Sequence, residues 1–127
     1  IDGREFSIGV ISLKGITKVL PITEIVTSND FFDYEAKYEG KADEITPANI
    51  TDELESELRL LSEKIYNLLK LKGFSRSEFI VNDNGTYYLE TNTVPGLTSE
   101  SILPQQARCA DISLKELFVN AINEAII

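Results

Sequence analysis

The 127-residue chain has no histidine, no methionine, no tryptophan and a single cysteine. Without histidine there is no Cys/His zinc set and no Ser–His or Cys–His nucleophile pair. Cys109 cannot close an internal disulfide and reads as a small packing residue. Basic residues are scarce: 12 Lys+Arg stand against 21 Asp+Glu, a formal net charge of -9. A phosphate backbone requires a basic face, so nucleic acid is disfavoured as a partner. The apolar runs are far shorter than the ~20 residues a membrane helix needs, and no charged-then-apolar leader is visible, so no membrane partner is expected. The missing methionine, position 1 included, and an opening residue already close to a strand pattern lead us to expect a natural N-terminus elsewhere. What remains for chemistry is carboxylates, Lys, Arg, Tyr, amides, backbone groups or a bound metal. Hydrophobic residues at 43% and charged residues at 26% describe one soluble globular domain.

Glu5 to Leu13 is apolar and β-branched with small interruptions, Lys14-Gly15 is a turn, and Ile16 to Val26 resumes a strand pattern broken near Pro21. Phe31 to Gly40 is too aromatic for a plain linker and reads as an ordered loop. Leu54, Leu58, Leu61, Ile65, Leu68 and Leu69 form one apolar helical stripe. Thr51 caps its start, Asp52, Glu53 and Glu55 favour the dipole, and Lys70, Lys72 and Gly73 are expected to end it. Glu100 to Ala110 reads as a short helix with Pro104 in its first turn. Ser113 and Glu116 form a capping box stapled by Ile112 and Leu117, so a last helix runs to about Ala125.

Ser75 to Asn92 reads as a hairpin with two possible registers. A two-residue Asn84-Gly85 turn sets Glu78 against Thr91; a three-residue Asp83-Asn84-Gly85 loop sets Asn82 against Thr86, Ile80 against Tyr88, Glu78 against Glu90 and Arg76 against Asn92. The second gathers Phe79, Val81, Tyr87 and Leu89 on one face and is preferred. It also opposes two carboxylates, which repel by about 3 kcal/mol at ~5 Å and an effective dielectric near 20. A divalent cation reverses that sign, and Asn92 adds a neutral oxygen on the same face. The alternative is a solvated polar face with Arg76 offsetting the charge. Beyond it, Pro95-Gly96 turns the chain into a helix start, whose free N–H groups suit anions.

Three motifs carry a family resemblance. Glu90-Thr91-Asn92-Thr93-Val94-Pro95-Gly96-Leu97-Thr98-Ser99 resembles the E-x-N-T-x-P-G-[ML]-T-x signature of D-alanine–D-alanine ligases, Phe32 to Tyr38 resembles their [FY]-D-Y-E-x-K-Y loop, and Gly3 to Ser7 their G-x-E-[FY]-[ST] strand. The resemblance implies an α+β fold: the C-terminal lobe of an ATP-grasp enzyme, a mainly antiparallel sheet with one long helix and two shorter C-terminal ones. It implies that residues 1–127 are that lobe, with the N-terminal domain and the central ATP-clamping lobe absent from this chain. It further implies a cytoplasmic, homodimeric parent that joins two D-alanines through an acyl phosphate, with ATP as co-substrate and two Mg²⁺ ions, or Mn²⁺, as cofactor.

Carried over residue by residue, Glu78, Glu90 and Asn92 are metal ligands, with Glu90 bridging. Asp is usual where Glu78 stands, which leaves the coordination of the longer carboxylate open. Glu5 meets the ATP ribose, Lys37 the γ-phosphate, and Phe31 belongs to the nucleotide-contacting set. Tyr38 closes its loop over the dipeptide site. Arg76 and the Gly96 N–H hold the oxyanion, and Ser101 with the Ile102 N–H takes the second D-alanine's carboxylate. Phe32 stands where Tyr is common. The alternatives are a D-alanine–D-lactate ligase, against which Tyr38 argues, another ATP-grasp carboxylate–amine ligase, and an acidic non-catalytic module that binds divalent cations.

Overall fold

The computed structural model describes residues 1–27 and 42–126. The aromatic segment expected to form a loop, and with it Phe31, Lys37 and Tyr38, lies outside the described residues. Among the described residues six strands form one antiparallel sheet: β1 (Arg4–Leu13), β2 (Ile16–Val19), β3 (Thr23–Thr27), β4 (Ala42–Ile45), β5 (Phe74–Asn82) and β6 (Gly85–Asn92). Its order is β4-β3-β1-β5-β6, with β2 also on β1. One edge of β1 runs along β5 from Arg4 to Ile11; the other is shared by β3 at Glu5–Ser7 and β2 at Val10–Leu13. β1 is therefore central, which suits its β-branched, apolar run.

Among the described residues three helices cover the sheet: α1 (Asp52–Leu68), α2 (Ile102–Cys109) and α3 (Leu114–Ile126). Alternation along β1 assigns their faces. Phe6, Ile8 and Val10 join Phe79, Ile22, Leu58 and Tyr66 in a core under α1. On the opposite face Ile11 and Leu20 meet Leu103 and Ala107 of α2 and Leu117 of α3. Among the described residues that second core covers only one end of its face.

Local chemistry sets the helix ends. The Thr51 Oγ1 accepts from the Leu54 N–H at 3.2 Å. The Ser113 hydroxyl accepts from the Glu116 N–H at 3.1 Å, and the Glu116 carboxylate accepts from the Ser113 N–H at 3.3 Å. The end of α1 differs from expectation. The helix stops at Leu68, and Lys70, with φ 55°, takes the left-handed position ahead of Gly73. Leu68 and Leu69 are exposed, because the helical stripe has rotated off the sheet by then; Tyr66, bonded to the Ser12 hydroxyl at 2.6 Å, is the last large buried side chain. Cys109 is exposed and is not a packing residue.

The β5–β6 turn is a second correction. Asp83 and Asn84 alone make it, and Asn82 pairs with Gly85. The Asn82 side chain accepts from the Asn84 N–H at 2.8 Å, closing the turn one residue early, and Gly85 takes φ 140°, which few other residues adopt. A bulge then leaves Leu89 without a partner and restores Glu78 opposite Glu90. Between turn and bulge the faces of β6 are exchanged. Tyr88, not Tyr87, shares the core face with Phe79, their rings 5.8 Å apart, and Leu89 is half exposed.

Candidate active site

Three rungs cross β6, β5 and β1 on the face that α2 partly covers. Tyr87, Ile80 and Glu5 form the first, Glu90, Glu78 and Ser7 the second, and Asn92, Arg76 and Gly9 the third. The expected pairs Glu78–Glu90 and Arg76–Asn92 are both present. Directly opposed side chains start ~5 Å apart, so the two carboxylates are neighbours across the strands. Arg76 reaches along its own strand: its Nη2 and Nε lie 2.8 and 3.2 Å from one oxygen of Glu78. Both side chains are largely buried, at 17% and 13% exposure, so this pair is less screened than a surface one. Glu90 is exposed.

Glu5 joins this group. Its carboxyl is held above the ordinary carboxylate range, first by desolvation and then by the charge of Glu78. A carboxyl that binds its proton more tightly when folded stabilises the fold below its unfolded value, ~4.3, and loses that contribution as pH rises through the folded value. Glu5→Gln should therefore raise the thermal midpoint of the chain at pH 7 and give no gain below pH ~4; the check is thermal unfolding at both pH values, and an equal effect at the two would contradict it.

The Pro95-Gly96 turn follows directly on Asn92 of the third rung. A Cβ on Gly96 would lie 2.8 Å from the Ser101 hydroxyl, so the Pro-Gly turn packs directly on the residue that opens α2. The Ser101 hydroxyl is bound by the Thr98 N–H at 3.2 Å and the Thr98 hydroxyl at 2.7 Å. The Asn92 side chain accepts from the Val94 N–H at 2.9 Å, which fixes the exit from β6. Its carbonyl oxygen keeps a second lone pair.

Glu78, Glu90 and Asn92 thus offer oxygen donors on one face. Among the described residues, no group of three or more Asp, Glu, His or Cys surrounds a point that could hold a metal ion. Two opposed carboxylates and an amide do not make an all-protein cage. They fit a hard cation that keeps waters and takes phosphate oxygens, the usual habit of Mg²⁺. Two residues escaped the sequence reading. Ser7, between Glu78 and Thr23, is fully buried and its hydroxyl has no partner among the described residues. The period-two spacing of Glu5, Ser7 and Gly9 could have revealed it. Gln106 is buried in α2 against β1, and nothing local announces it.

A family profile described as "D-ala D-ala ligase C-terminus" matches residues 1–123. A D-alanine–D-alanine ligase of Flavobacterium johnsoniae is 64% identical over 122 residues, 96% of this chain and 38% of that protein. The crystal structure of a Bacillus anthracis D-alanine–D-alanine ligase complexed with ATP superposes with a TM-score of 0.81 at 28% identity, covering 99% of this chain and 39% of that one. A VanG D-Ala:D-Ser ligase of Enterococcus faecalis gives 0.76 at 30% identity, over 97% of this chain and 36% of its own. The chain therefore spans about 38% of the length of the curated relatives it matches.

Proposed function

This chain belongs to the family of D-alanine–D-alanine ligase C-termini, and from that premise we propose that the protein carrying it joins two D-alanines into D-alanyl-D-alanine at the expense of ATP. The single observation that carries this reading is the opposition of Glu78 and Glu90 in a rung beside Arg76 and Asn92, next to the Gly96–Ser101 turn. A fold gains nothing from that carboxylate pair, whereas a phosphoryl-transfer site needs it.

In this reading the carboxylate of the first D-alanine attacks the γ-phosphorus and ADP departs, leaving an acyl phosphate. The amine of the second attacks the acyl carbon and phosphate leaves. Arg76 and the Gly96 N–H donate to the oxyanion that forms at that carbon, as fixed donors should. Ser101 and the Ile102 N–H bind the carboxylate of the acceptor at the start of α2. Glu5 accepts from a ribose hydroxyl. Lys37 meets the γ-phosphate, Phe31 contributes to the nucleotide site and Tyr38 covers the dipeptide. Glu78, Glu90 and Asn92 would hold two Mg²⁺ or Mn²⁺ ions, which when bound offset the charge of the phosphates. The setting is the cytoplasm, where ATP is available, with a homodimer as the working form and peptidoglycan precursor synthesis as the use.

The experiment is phosphate release by the full-length protein with Mg²⁺ and ATP. Release should require D-alanine and rise little with added D-serine or D-lactate. Release that depends on D-serine would favour the activity in the Enterococcus relative's name. Absence of any amino-acid-dependent release, with Mg²⁺ still bound, would leave the acidic cation-binding module instead.

A further inference from the structure

β1 changes neighbours in mid-strand. β3 pairs with it as far as Ser7 and β2 resumes at Val10, so the edge between them lacks a continuous partner strand. A central strand cannot leave buried backbone groups unpaired without a cost. Gln106 of α2 supplies the missing rung. Its Oε1 accepts from the Gly9 N–H at 2.9 Å; its Nε2 donates to the Ser7 carbonyl at 2.8 Å and to the Thr23 hydroxyl at 3.0 Å. The Leu20 N–H donates to the Gly9 carbonyl at 2.8 Å and completes the patch. The carboxamide thus behaves as a peptide group inserted between two strands. Only one orientation works, because the N–H and the carbonyl it faces require opposite atoms.

The placement reaches beyond the sheet. Ser7 and Gly9 are the residues paired with Glu78 and Arg76 on β5. Gln106 lies one helical turn beyond Ile102, on the helix whose start carries Ser101. Gly9 permits this approach, since a Cβ there would stand 2.4 Å from Leu103 Cδ1 and 2.6 Å from the glutamine oxygen. Gln106 itself is fully buried.

We infer that Gln106 is a positioning residue that registers the first turn of α2, the acceptor-carboxylate end of the proposed site, against the strands that carry Glu78 and Arg76. The inference rests on the ligase reading above. Removal of the carboxamide lets the helix start shift relative to Arg76, while Glu5 and the carboxylate pair keep their own strands. The acceptor is then held worse, and the nucleotide is not.

The test uses the full-length protein. Gln106→Met keeps the volume and removes the bonding. It should raise KM for the second D-alanine about tenfold, the worth of one ordinary hydrogen bond, with KM for ATP essentially unchanged. Gln106→Glu supplies a signature that mere destabilisation lacks. Protonated, a carboxylic acid can still accept from Gly9 and donate to Ser7; ionised, it sets a charge against the Ser7 carbonyl. Its acceptor KM should approach wild type at the acid end of the working range and worsen as pH rises, a limb absent from wild type. If Gln106→Met fails to fold, the acid limb of Gln106→Glu decides. KM values for ATP and acceptor rising together, or a Gln106→Glu profile that parallels wild type, would overturn the inference. A wild type that does not consume D-alanine overturns the ligase reading and the inference with it.

Discussion

Glu90→Gln in the full-length protein is expected to abolish D-alanine-dependent phosphate release while leaving the unfolding midpoint of the metal-free protein unchanged or slightly raised. Two properties of the site produce that combination. Glu90 is exposed and stands directly opposite Glu78, whose charge is already tied to Arg76. One guanidinium offsets one carboxylate, so among the described residues the charge of Glu90 has no ion-pair partner and opposes its neighbour. The amide keeps the shape and removes the repulsion. In the proposed reaction the same carboxylate is a cation ligand, and charge stabilisation of that kind is worth several kcal/mol in the transition state, on the order of 10³ in rate. Steady-state phosphate release and thermal unfolding in chelator are the two measurements. A clear fall in the midpoint would mean that Glu90 supports the fold, and near-normal turnover would remove it from the site.

The pair behind that expectation was legible in the sequence although its turn was not. The spacing of Glu78 and Glu90 about a Gly-containing turn brings them opposite one another in a three-residue loop. The real hairpin turns at Asp83-Asn84 and recovers the same pairing through the bulge at Leu89. Two local departures cancel, and between them Tyr87 and Tyr88 exchange faces. Composition does not announce a bulge, because the extra residue is chosen by how the strand must twist. The helix starts were legible because Thr51, Ser113 and Glu116 act on N–H groups within three residues. The end of α1 was less so, since exposure of Leu68 and Leu69 depends on where the sheet stops. Gln106 was invisible for the same kind of reason. A glutamine in a short helix looks solvated until a strand nearly a hundred residues away presents it with a gap.

Phe6→Ala should produce the largest loss of stability of any change considered, and its logic is the reverse of that for Glu90. The ring is fully buried on the central strand, pairs with Phe79 on the next strand and belongs to the core under α1. The Arg4 guanidinium lies over it at 5.2 Å and is itself held by Glu24 at 2.9 Å. Truncating a buried phenylalanine costs about 3–5 kcal/mol, the transfer term plus the cavity left behind. A domain of this size has ~5–15 kcal/mol in all, so the variant approaches the unfolding threshold. Urea unfolding of the 127-residue chain should show a much lower midpoint with an unchanged slope, the mark of lost stability and not of an altered denatured state. A fall below ~1 kcal/mol would mean that the core is not organised on Phe6. The residues on either side of it, Glu5 and Ser7, face the site, so one strand holds the core with its even positions and presents the chemistry with its odd ones. Ligand binding to the odd face should therefore recover part of the Phe6→Ala loss in the full-length protein, by mass action on the folded state alone. A midpoint that Mg²⁺ and nucleotide raise in wild type but not in this variant would show that the odd face loses its binding geometry when the core behind it is emptied.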